Sequence, residues 1–284
     1  LLIDYVLTVA VSIAAGADAL ASAFDLLLYK LPLAIGAVLL IMLGNLRGIR
    51  ESGTIFAVPT YVFIASILGL IAIGLLRLLT GAAEVAAPAE THGGREPLTA
   101  FLLLSAFAQG CTAMTGVEAV SNGVPAFKPP EARNARLTLA WMGLILGAMF
   151  LGISFLAAQL GIVPDPAERE TVVSQIARAV VGEGAFYYLI QIATALILVL
   201  AANTSFADFP RLASILARHR FMPNQFAFRG DRLAFTTGIL ALALLAIALL
   251  IIFHGSVNAL IPLYAVGVFT SFTLSQAGMV VHWR

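Results

Sequence analysis

Hydrophobic residues along the chain are grouped into long runs, and short polar connectors separate the runs. A helix of about 20 apolar residues is long enough to cross the ~30 Å hydrocarbon core of a bilayer. Eight runs approach or exceed that length, and each predicts a transmembrane helix. The runs cover residues 1–24, 31–46, 54–79, 98–123, 137–160, 185–206, 233–253 and 257–281.

The basic residues are divided unevenly between the connectors on alternate sides of these helices. Eleven Lys and Arg residues fall on one side and five on the other. Because cytoplasmic loops are enriched in basic residues, the side with eleven is predicted to be cytoplasmic and the first helix to run outward. The external connector 165–183 is predicted to carry a short surface helix, and residues 208–232 form the longest predicted cytoplasmic loop.

The composition agrees with this pattern and excludes other classes of protein. Of the 284 residues, 61% are hydrophobic and 11% are charged, which is unlike a soluble domain. A formal net charge of +1 gives no basis for nucleic-acid binding. No phosphate-binding loop, zinc-protease motif or hydrolase elbow occurs, so no enzymatic activity or cofactor is expected. The chain is predicted to be one all-α transmembrane domain, residues 1–284, in the cell membrane.

Three carboxylates, Asp4, Asp18 and Glu118, fall within the apolar runs. A charge in the hydrocarbon region is costly, which makes each of them a candidate for function. Asp4, Thr8 and Ser12 are four residues apart and therefore share one face of the first helix. Their oxygens suit a dehydrated hard cation. Alternatively, the two hydroxyls bond to their own helix and Asp4 lies in a cytoplasmic vestibule.

Asp18 lies near the same helix face but toward the predicted external end. It is interpreted either as part of an ion access route or as an interfacial carboxylate exposed to water.

The fourth run contains polar residues and glycines in the middle of an apolar span, between Gln109 and Gly123. This predicts a break in the helix between residues 112 and 116. Broken transmembrane helices expose backbone groups that line cavities or bind ions. Glu118 lies one turn after Thr115, so both can face the same cavity; the alternative for Glu118 is a carboxylate that caps backbone amides at the break.

Polar groups on two later helices are weaker candidates. Thr204 and Ser205, at the predicted end of the sixth helix, suit either a sodium-like site or a C-terminal cap. Tyr264 in the eighth helix either points its hydroxyl into the cavity or belongs to the interfacial aromatic belt. Tyr5, Thr112 and Gly116 adjoin the stronger candidates and are included with them.

Four strings of residues carry a family resemblance. Residues 45–54, 114–119, 127–130 and 208–213 read NLRGIRESGT, MTGVEA, FKPP and DFPRLA. With them, the chain resembles the amino acid, polyamine and organocation (APC) permease superfamily, and more narrowly its KimA-like branch of potassium importers, which is akin to the KUP group. The resemblance implies a LeuT-like fold of two inverted five-helix repeats with a discontinuous helix 6. The eight runs would then be family helices 3 to 10, and the sequence would be a fragment without helices 1 and 2 and anything after helix 10.

The same resemblance implies a function and a set of site residues. Potassium would be imported by proton symport with alternating access. Glu118 would be the proton carrier, and a homodimer is compatible with the resemblance. The implied potassium ligands or their neighbours are Asp4, Thr8, Ser12, Thr115 and Tyr264.

Three other functions are weighed against potassium import. The first is a proton-coupled amino acid permease of the same superfamily; the acidic lining favours a bare cation over a substrate carboxylate. The second is a non-transporting receptor or scaffold, in which the buried carboxylates would only cost stability. The third is a channel, and no selectivity-filter string of the potassium-channel type is present.

Overall fold

The fold was obtained as a computed structural model of the chain. The structure describes residues 1–48, 53–81, 99–112, 115, 120, 124, 127–165, 167–228 and 235–283. Among these residues, all regular secondary structure is helical and no strand occurs. The predicted all-α class is therefore confirmed.

Nine α-helices lie within the described residues, and two short 3₁₀ helices occur at Leu27–Tyr29 and Asn224–Ala227. The α-helices are α1 (Leu2–Phe24), α2 (Lys30–Leu46), α3 (Gly53–Leu79), α4 (Ala100–Cys111), α5 (Glu131–Leu160), α6 (Val172–Val181), α7 (Ala185–Arg218), α8 (Thr236–Ile252) and α9 (Val257–His282).

Six of the described helices are long and apolar enough to cross a membrane: α1, α2, α3, α5, α7 and α9. Helices α4 and α8 are apolar but shorter, with 12 and 17 residues. A short helix is present as α6 in the connector between the fifth and sixth runs, where a short surface helix was predicted. The structure thus contains a helix in each of the eight predicted runs, while eight complete crossings remain a prediction.

The predicted cytoplasmic loop 208–232 is wrong in its first part, because α7 continues as a helix to Arg218. Phe209, Ala213 and Ala217 are four residues apart and buried, so they extend one apolar face beyond residue 206, where the helix was predicted to end. Pro210 lies inside the helix and packs closely against Gly238 of α8, where an added Cβ would lie 2.8 Å from the proline Cβ. The basic residues and the proline are typical of a loop, so the sequence did not indicate this buried face.

The chain divides into two compact units, and unit 1 is built around α1. Unit 1 comprises Leu1–Phe63, Asp165–Thr171 and Tyr188–Arg284. Within it, α1 packs against α2, α8 and α9, and α2 packs against α8. The α1 face in this core consists mainly of valine, isoleucine and alanine, and it meets buried residues of α7 such as Ala202 and Phe206.

Small residues allow the helices of unit 1 to approach each other closely. A Cβ added at Gly267 of α9 would lie 2.8 Å from the Leu7 Cδ1 atom of α1. A Cβ added at Gly16 of α1 would lie 3.5 Å from the Leu198 Cβ atom of α7. Small residues have this role in membrane proteins, since lipid tails provide no hydrophobic force that drives helices together.

Unit 2 comprises Ile64–Pro164 and Val172–Tyr187. Its helices α5 and α6 pack against each other, and Leu156 and Leu160 of α5 are fully buried. Gly152 of α5 lies against Ile71 of α3, where an added Cβ would come within 2.7 Å of the Ile71 Cδ1 atom. Unit 2 also contains the end of α4, where the broken helix is predicted.

Candidate functional site

Asp4 and Ser12 of the polar stripe on α1 are buried, and Thr8 is half-buried. The exposed fraction is 3% for Asp4 and 9% for Ser12. The Thr8 hydroxyl donates a hydrogen bond of 2.9 Å to the backbone carbonyl of Asp4. For Thr8, this is the bond to its own helix that was considered as the alternative to cation binding. Asp4 and Ser12 therefore place a buried carboxylate and a buried hydroxyl inside unit 1.

Tyr264 of α9 lies next to the same part of α1. It is buried and packs with Val268 against Leu7, the residue before Thr8. Its position inside the packed unit argues against a role in the interfacial aromatic belt. Tyr5 is half-buried and packs against the main core of unit 1. The structure thus brings the α1 stripe and Tyr264 into the same region of unit 1.

The residues predicted on the broken helix lie at the end of α4. This helix ends at Cys111, and Thr112 is its C-terminal cap. The Thr112 hydroxyl donates to the carbonyl of Gln109, and the Thr115 hydroxyl donates to the carbonyl of Thr112 at 2.9 Å. The helix therefore ends next to the predicted break, and the break itself stays a prediction.

Glu118 and Gly116 lie outside the described residues. Thr115 belongs to unit 2, whereas Asp4, Ser12 and Tyr264 belong to unit 1. The shared cation site therefore stays a prediction.

Thr204 and Ser205 do not end a helix, so their interpretation as a C-terminal cap is wrong. Both lie in the interior of α7, which continues for more than three turns beyond them. The Thr204 side chain is exposed and donates to the carbonyl of Ala201 at 2.7 Å, while Ser205 is buried. Their role in ion binding stays a prediction.

Asp18 is not a carboxylate exposed to water, because only 8% of its surface is accessible. Its Oδ1 atom lies 2.6 Å from the Nζ atom of Lys30, the first residue of α2. The same ammonium group donates to the Oε2 atom of Glu168 at 2.9 Å. One lysine therefore bridges two carboxylates, and the three side chains are at most 15% exposed.

Glu168 extends this ionic cluster of Asp18, Lys30 and Glu168 to the start of α9. Its Oε1 atom accepts hydrogen bonds from the Ser256 hydroxyl at 2.7 Å and from the Asn258 backbone amide at 2.8 Å. Ser256 is the N-cap residue of α9, and its hydroxyl also accepts from the Ala259 amide. The cluster therefore ties the segment Asp165–Thr171 to three helices of unit 1.

A second contact fastens the same segment to α1. The Thr171 backbone amide donates to the Ser22 hydroxyl at 3.1 Å, and that hydroxyl donates to the carbonyl of Asp18. Sequence reasoning missed Lys30 and Glu168, because both lie next to connectors where charged residues are expected in water. The signal available in the sequence was the place of Asp18 within an apolar run, because a carboxylate buried there requires a compensating cation.

The environment of Glu168 favours its charged form. Burial works to raise the pKa of Glu168, but hydrogen bonds from Ser256, Lys30 and the Asn258 amide outweigh it and hold the pKa below its usual range. The carboxylate is therefore ionised near neutral pH, so that it can pair with Lys30 and accept hydrogen bonds from Ser256 and the Asn258 amide.

Comparison with known families identifies the family and the location of the chain. The family model described as "Amino acid permease" matches residues 1–284. The chain belongs to this family. It is a multi-pass protein of the cell membrane, as its apolar helices also indicate.

A similar protein is the "Potassium transporter KimA" of Bacillus subtilis (strain 168). The two sequences are 55% identical over 287 residues, which covers 100% of this permease chain and 47% of the relative. The chain thus spans about half the length of the curated relative it matches. The family resemblance stated from the four strings is confirmed.

Removing the lysine of the ionic cluster should destabilise the permease. Lys30→Met leaves the buried Asp18 and Glu168 carboxylates without their shared cation, and breaking a buried pair in this way typically costs about 3 kcal/mol. We expect a lower melting temperature for the purified full-length protein. The double variant Asp18→Asn, Lys30→Met should recover part of the loss, since it removes one of the stranded charges.

The control for this experiment is Lys128→Met, because Lys128 is exposed. It should leave the melting temperature unchanged. A double variant no more stable than Lys30→Met would contradict the assignment of Asp18 as the lysine's partner.

Glu168 should contribute to stability in a pH-dependent way. Because its pKa is lower in the folded protein than in the unfolded chain, its contribution is fully present above the usual glutamate range and is lost as the pH falls through the lowered pKa. The melting-temperature difference between wild type and Glu168→Gln should be clear near pH 7 and shrink in acid. A difference that grows in acid would show that the pKa is raised instead.

Proposed function

We propose that the permease is a secondary active transporter that imports potassium by proton symport with alternating access. The observation that carries the proposal is Asp4, a carboxylate buried to 3% exposure within the helical packing of unit 1. An intramembrane carboxylate costs several kcal/mol on most scales and is found where ions or protons are handled. The potassium-transporting relative, identical at 55% of positions over the whole chain, supports the same cargo.

The oxygen atoms near Asp4 are suited to a hard cation. Ser12 adds a buried hydroxyl two turns along α1, and Tyr264 lies beside this part of the helix. Thr8 is proposed as a neighbour of the ion ligands and not as a ligand itself, because its hydroxyl donates to the Asp4 carbonyl. In the fourth run, Thr115 is proposed as a further ion ligand and Glu118 as the proton carrier. Potassium prefers such oxygen ligands over nitrogen or sulfur.

The finer architecture proposed for the chain is LeuT-like, with eight crossing helices and a discontinuous helix 6. The end of α4 at Cys111 supports the discontinuity. The family resemblance implies a scaffold of helices 3, 4, 8 and 9 for alternating access. These helices correspond to α1, α2, α7 and α8, which contribute to one hydrophobic core in unit 1. The helix that corresponds to helix 6, α4, belongs to unit 2. Alternating access, in which one group of helices moves against another, is proposed from the family resemblance. A homodimer remains a prediction.

A second candidate function is amino acid transport, which the description of the matching family favours. An amino acid would require a cation-accepting and an anion-accepting group at the site. The buried Asp4 suits the ammonium group, but a second negative charge at Glu118 would disfavour the substrate carboxylate. Tracer uptake separates the two functions.

Asp4→Asn should abolish potassium uptake by the full-length transporter. The change keeps the size of the side chain but removes the charge that attracts the cation. Rubidium-tracer uptake is measured in bacteria that lack their own potassium importers. Asp25→Asn is the matched control, because Asp25 is exposed at the end of the same helix in a left-handed conformation that asparagine also tolerates.

Two results would contradict this prediction. Rubidium uptake by Asp4→Asn at the wild-type rate would remove the α1 carboxylate from the site. Uptake of a labelled amino acid without any rubidium uptake by the wild type would move the protein to the second function.

Glu118→Gln should abolish concentrative uptake while leaving membrane insertion intact. A glutamine cannot carry the coupling proton, whereas its amide preserves the size of the side chain. The measurement is rubidium accumulation against its gradient, with protein amount in the membrane as the reference. Glu131→Gln, at the exposed start of α5, is the control. Full accumulation by Glu118→Gln would exclude this residue as the proton carrier.

A further inference from the structure

The first turn of α9 is held by groups outside the helix. The first backbone amides of an α-helix have no acceptor within it. In α9, the Ser256 hydroxyl accepts from the Ala259 amide at 3.2 Å, and the Glu168 carboxylate accepts from the Asn258 amide at 2.8 Å. A negative charge at this end of a helix also interacts favourably with the helix dipole. Glu168 therefore caps α9 from a distant part of the chain.

Pro262 weakens the connection between this first turn and the rest of α9. Proline has no backbone N–H, so the carbonyl four residues earlier, that of Asn258, receives no helical hydrogen bond from it. The same residue, Asn258, donates its amide to Glu168. The start of α9 is thus bonded less to its own helix and more to Glu168, and its position depends on this carboxylate.

The turn before α9 also packs against the lysine of the ionic cluster. Gly255 has a φ of +68°, a left-handed conformation that glycine adopts without strain. A Cβ added there would lie 3.9 Å from the Lys30 Cε atom and 3.8 Å from the Leu31 Cδ1 atom, so the turn packs on the start of α2. Because Lys30 also pairs with Asp18 of α1, the cluster locates the start of α9 relative to both helices.

The anchored start of α9 is close enough to Tyr264 to determine where that side chain lies. Tyr264 is two turns after Ser256, about 12 Å along the helix axis. Further along, Gly267 contacts α1, where an added Cβ would lie 2.8 Å from the Leu7 Cδ1 atom. This close contact sets the distance between the two helices, whereas the bonds to Glu168 set the position of α9 along its axis. Tyr264 lies between the two contacts and packs against Leu7, so it moves with any shift of the helix start.

We propose that Glu168 is a positioning residue for the cation site: by holding the start of α9 to Lys30, it sets the place of Tyr264 beside α1. In this role Glu168 acts through α9 and needs no contact with the ion. The consequence for transport rests on the proposed function, while the geometric part does not. Loss of Glu168 should move the Tyr264 ring and weaken potassium binding without changing any proposed ligand.

The position of Tyr264 is measured directly with 3-fluorotyrosine placed at this residue in the full-length transporter. The fluorine NMR signal of the purified protein reports the surroundings of the ring, and it is recorded without potassium so that ion binding does not contribute. Glu168→Ala removes the acceptor of Ser256 and Asn258 and should shift the signal. Glu168→Gln keeps an acceptor for both and should produce a smaller shift.

Changes at Ser256 test the same connection from the α9 side. Ser256→Ala removes the hydroxyl that donates to Glu168, and it should shift the fluorine signal in the same direction as Glu168→Ala. Ser256→Thr retains a hydroxyl at the N-cap and should keep the wild-type signal. Both variants keep the lysine and the two carboxylates of the cluster, so they decide the question even if Glu168→Ala fails to fold.

Two further variants control for effects that do not involve the cluster. Leu156→Ala removes a fully buried side chain from unit 2 and lowers stability by leaving a cavity. Glu183→Ala removes an exposed carboxylate whose Oε1 atom lies 3.3 Å from the Arg178 Nε atom. Both should leave the Tyr264 signal unchanged, although the first lowers the melting temperature.

Rubidium-tracer uptake by the same variants tests the consequence for the cation site. Glu168→Ala should raise the half-saturating rubidium concentration several-fold at equal amounts of protein in the membrane, whereas Leu156→Ala should not. A wild type that takes up no rubidium would remove the proposed function. The fluorine signal would then decide alone whether Glu168 positions Tyr264.

The proposal fails in any of three cases. The first is a Tyr264 signal that stays at its wild-type position in both Glu168→Ala and Ser256→Ala. The second is an equal shift in Leu156→Ala, which would indicate a general loosening of the protein. The third is a shifted signal together with a wild-type half-saturating rubidium concentration, which would separate the position of Tyr264 from ion binding.

Discussion

Helix α1 has to be enclosed on several sides, because it carries the Asp4 carboxylate through a region where lipid cannot solvate a charge. Close approach of α9 and α7 achieves this enclosure through Gly267 and Gly16. Since lipid tails give helices no hydrophobic reason to associate, contact between small residues and good packing must supply the stability. The burial of Ser12 and the position of Tyr264 both follow from this packing.

The second buried carboxylate of α1 is stabilised in a different way. Asp18 pairs with Lys30, and Lys30 is held in turn by Glu168. Because Glu168 also accepts from Ser256 and the Asn258 amide, the segment Asp165–Thr171 is fastened to helices α1, α2 and α9. One helix therefore carries an ion-paired carboxylate near one end and, near the other, a carboxylate that is proposed to bind a transported cation.

Local patterns predicted where some candidate residues lie along the helices, while their role in ion binding stays a prediction. The place of Asp4 and Ser12 in an apolar run is typical of buried residues. The glycines and hydroxyl side chains after Gln109 indicate that α4 ends in this region. The bonding of individual side chains could not be predicted in this way. The Thr8 hydroxyl donates to the Asp4 carbonyl, one turn earlier in the same helix. The sequence pattern is the same whether such a hydroxyl bonds to its own helix or binds an ion.

By itself, the sequence determined the all-helical class, the approximate positions of the helices and membership of the permease family. These properties depend on runs of apolar residues and short motifs, which are local. Only the tertiary structure decided that Lys30 pairs with Glu168, 138 residues away, and that Asn45 pairs with Asn203, 158 residues away. It also decided that residues 208–218 are helical, since the buried face of Phe209, Ala213 and Ala217 needs the core of unit 1 to pack against. Such contacts depend on segments that meet only when the chain has folded.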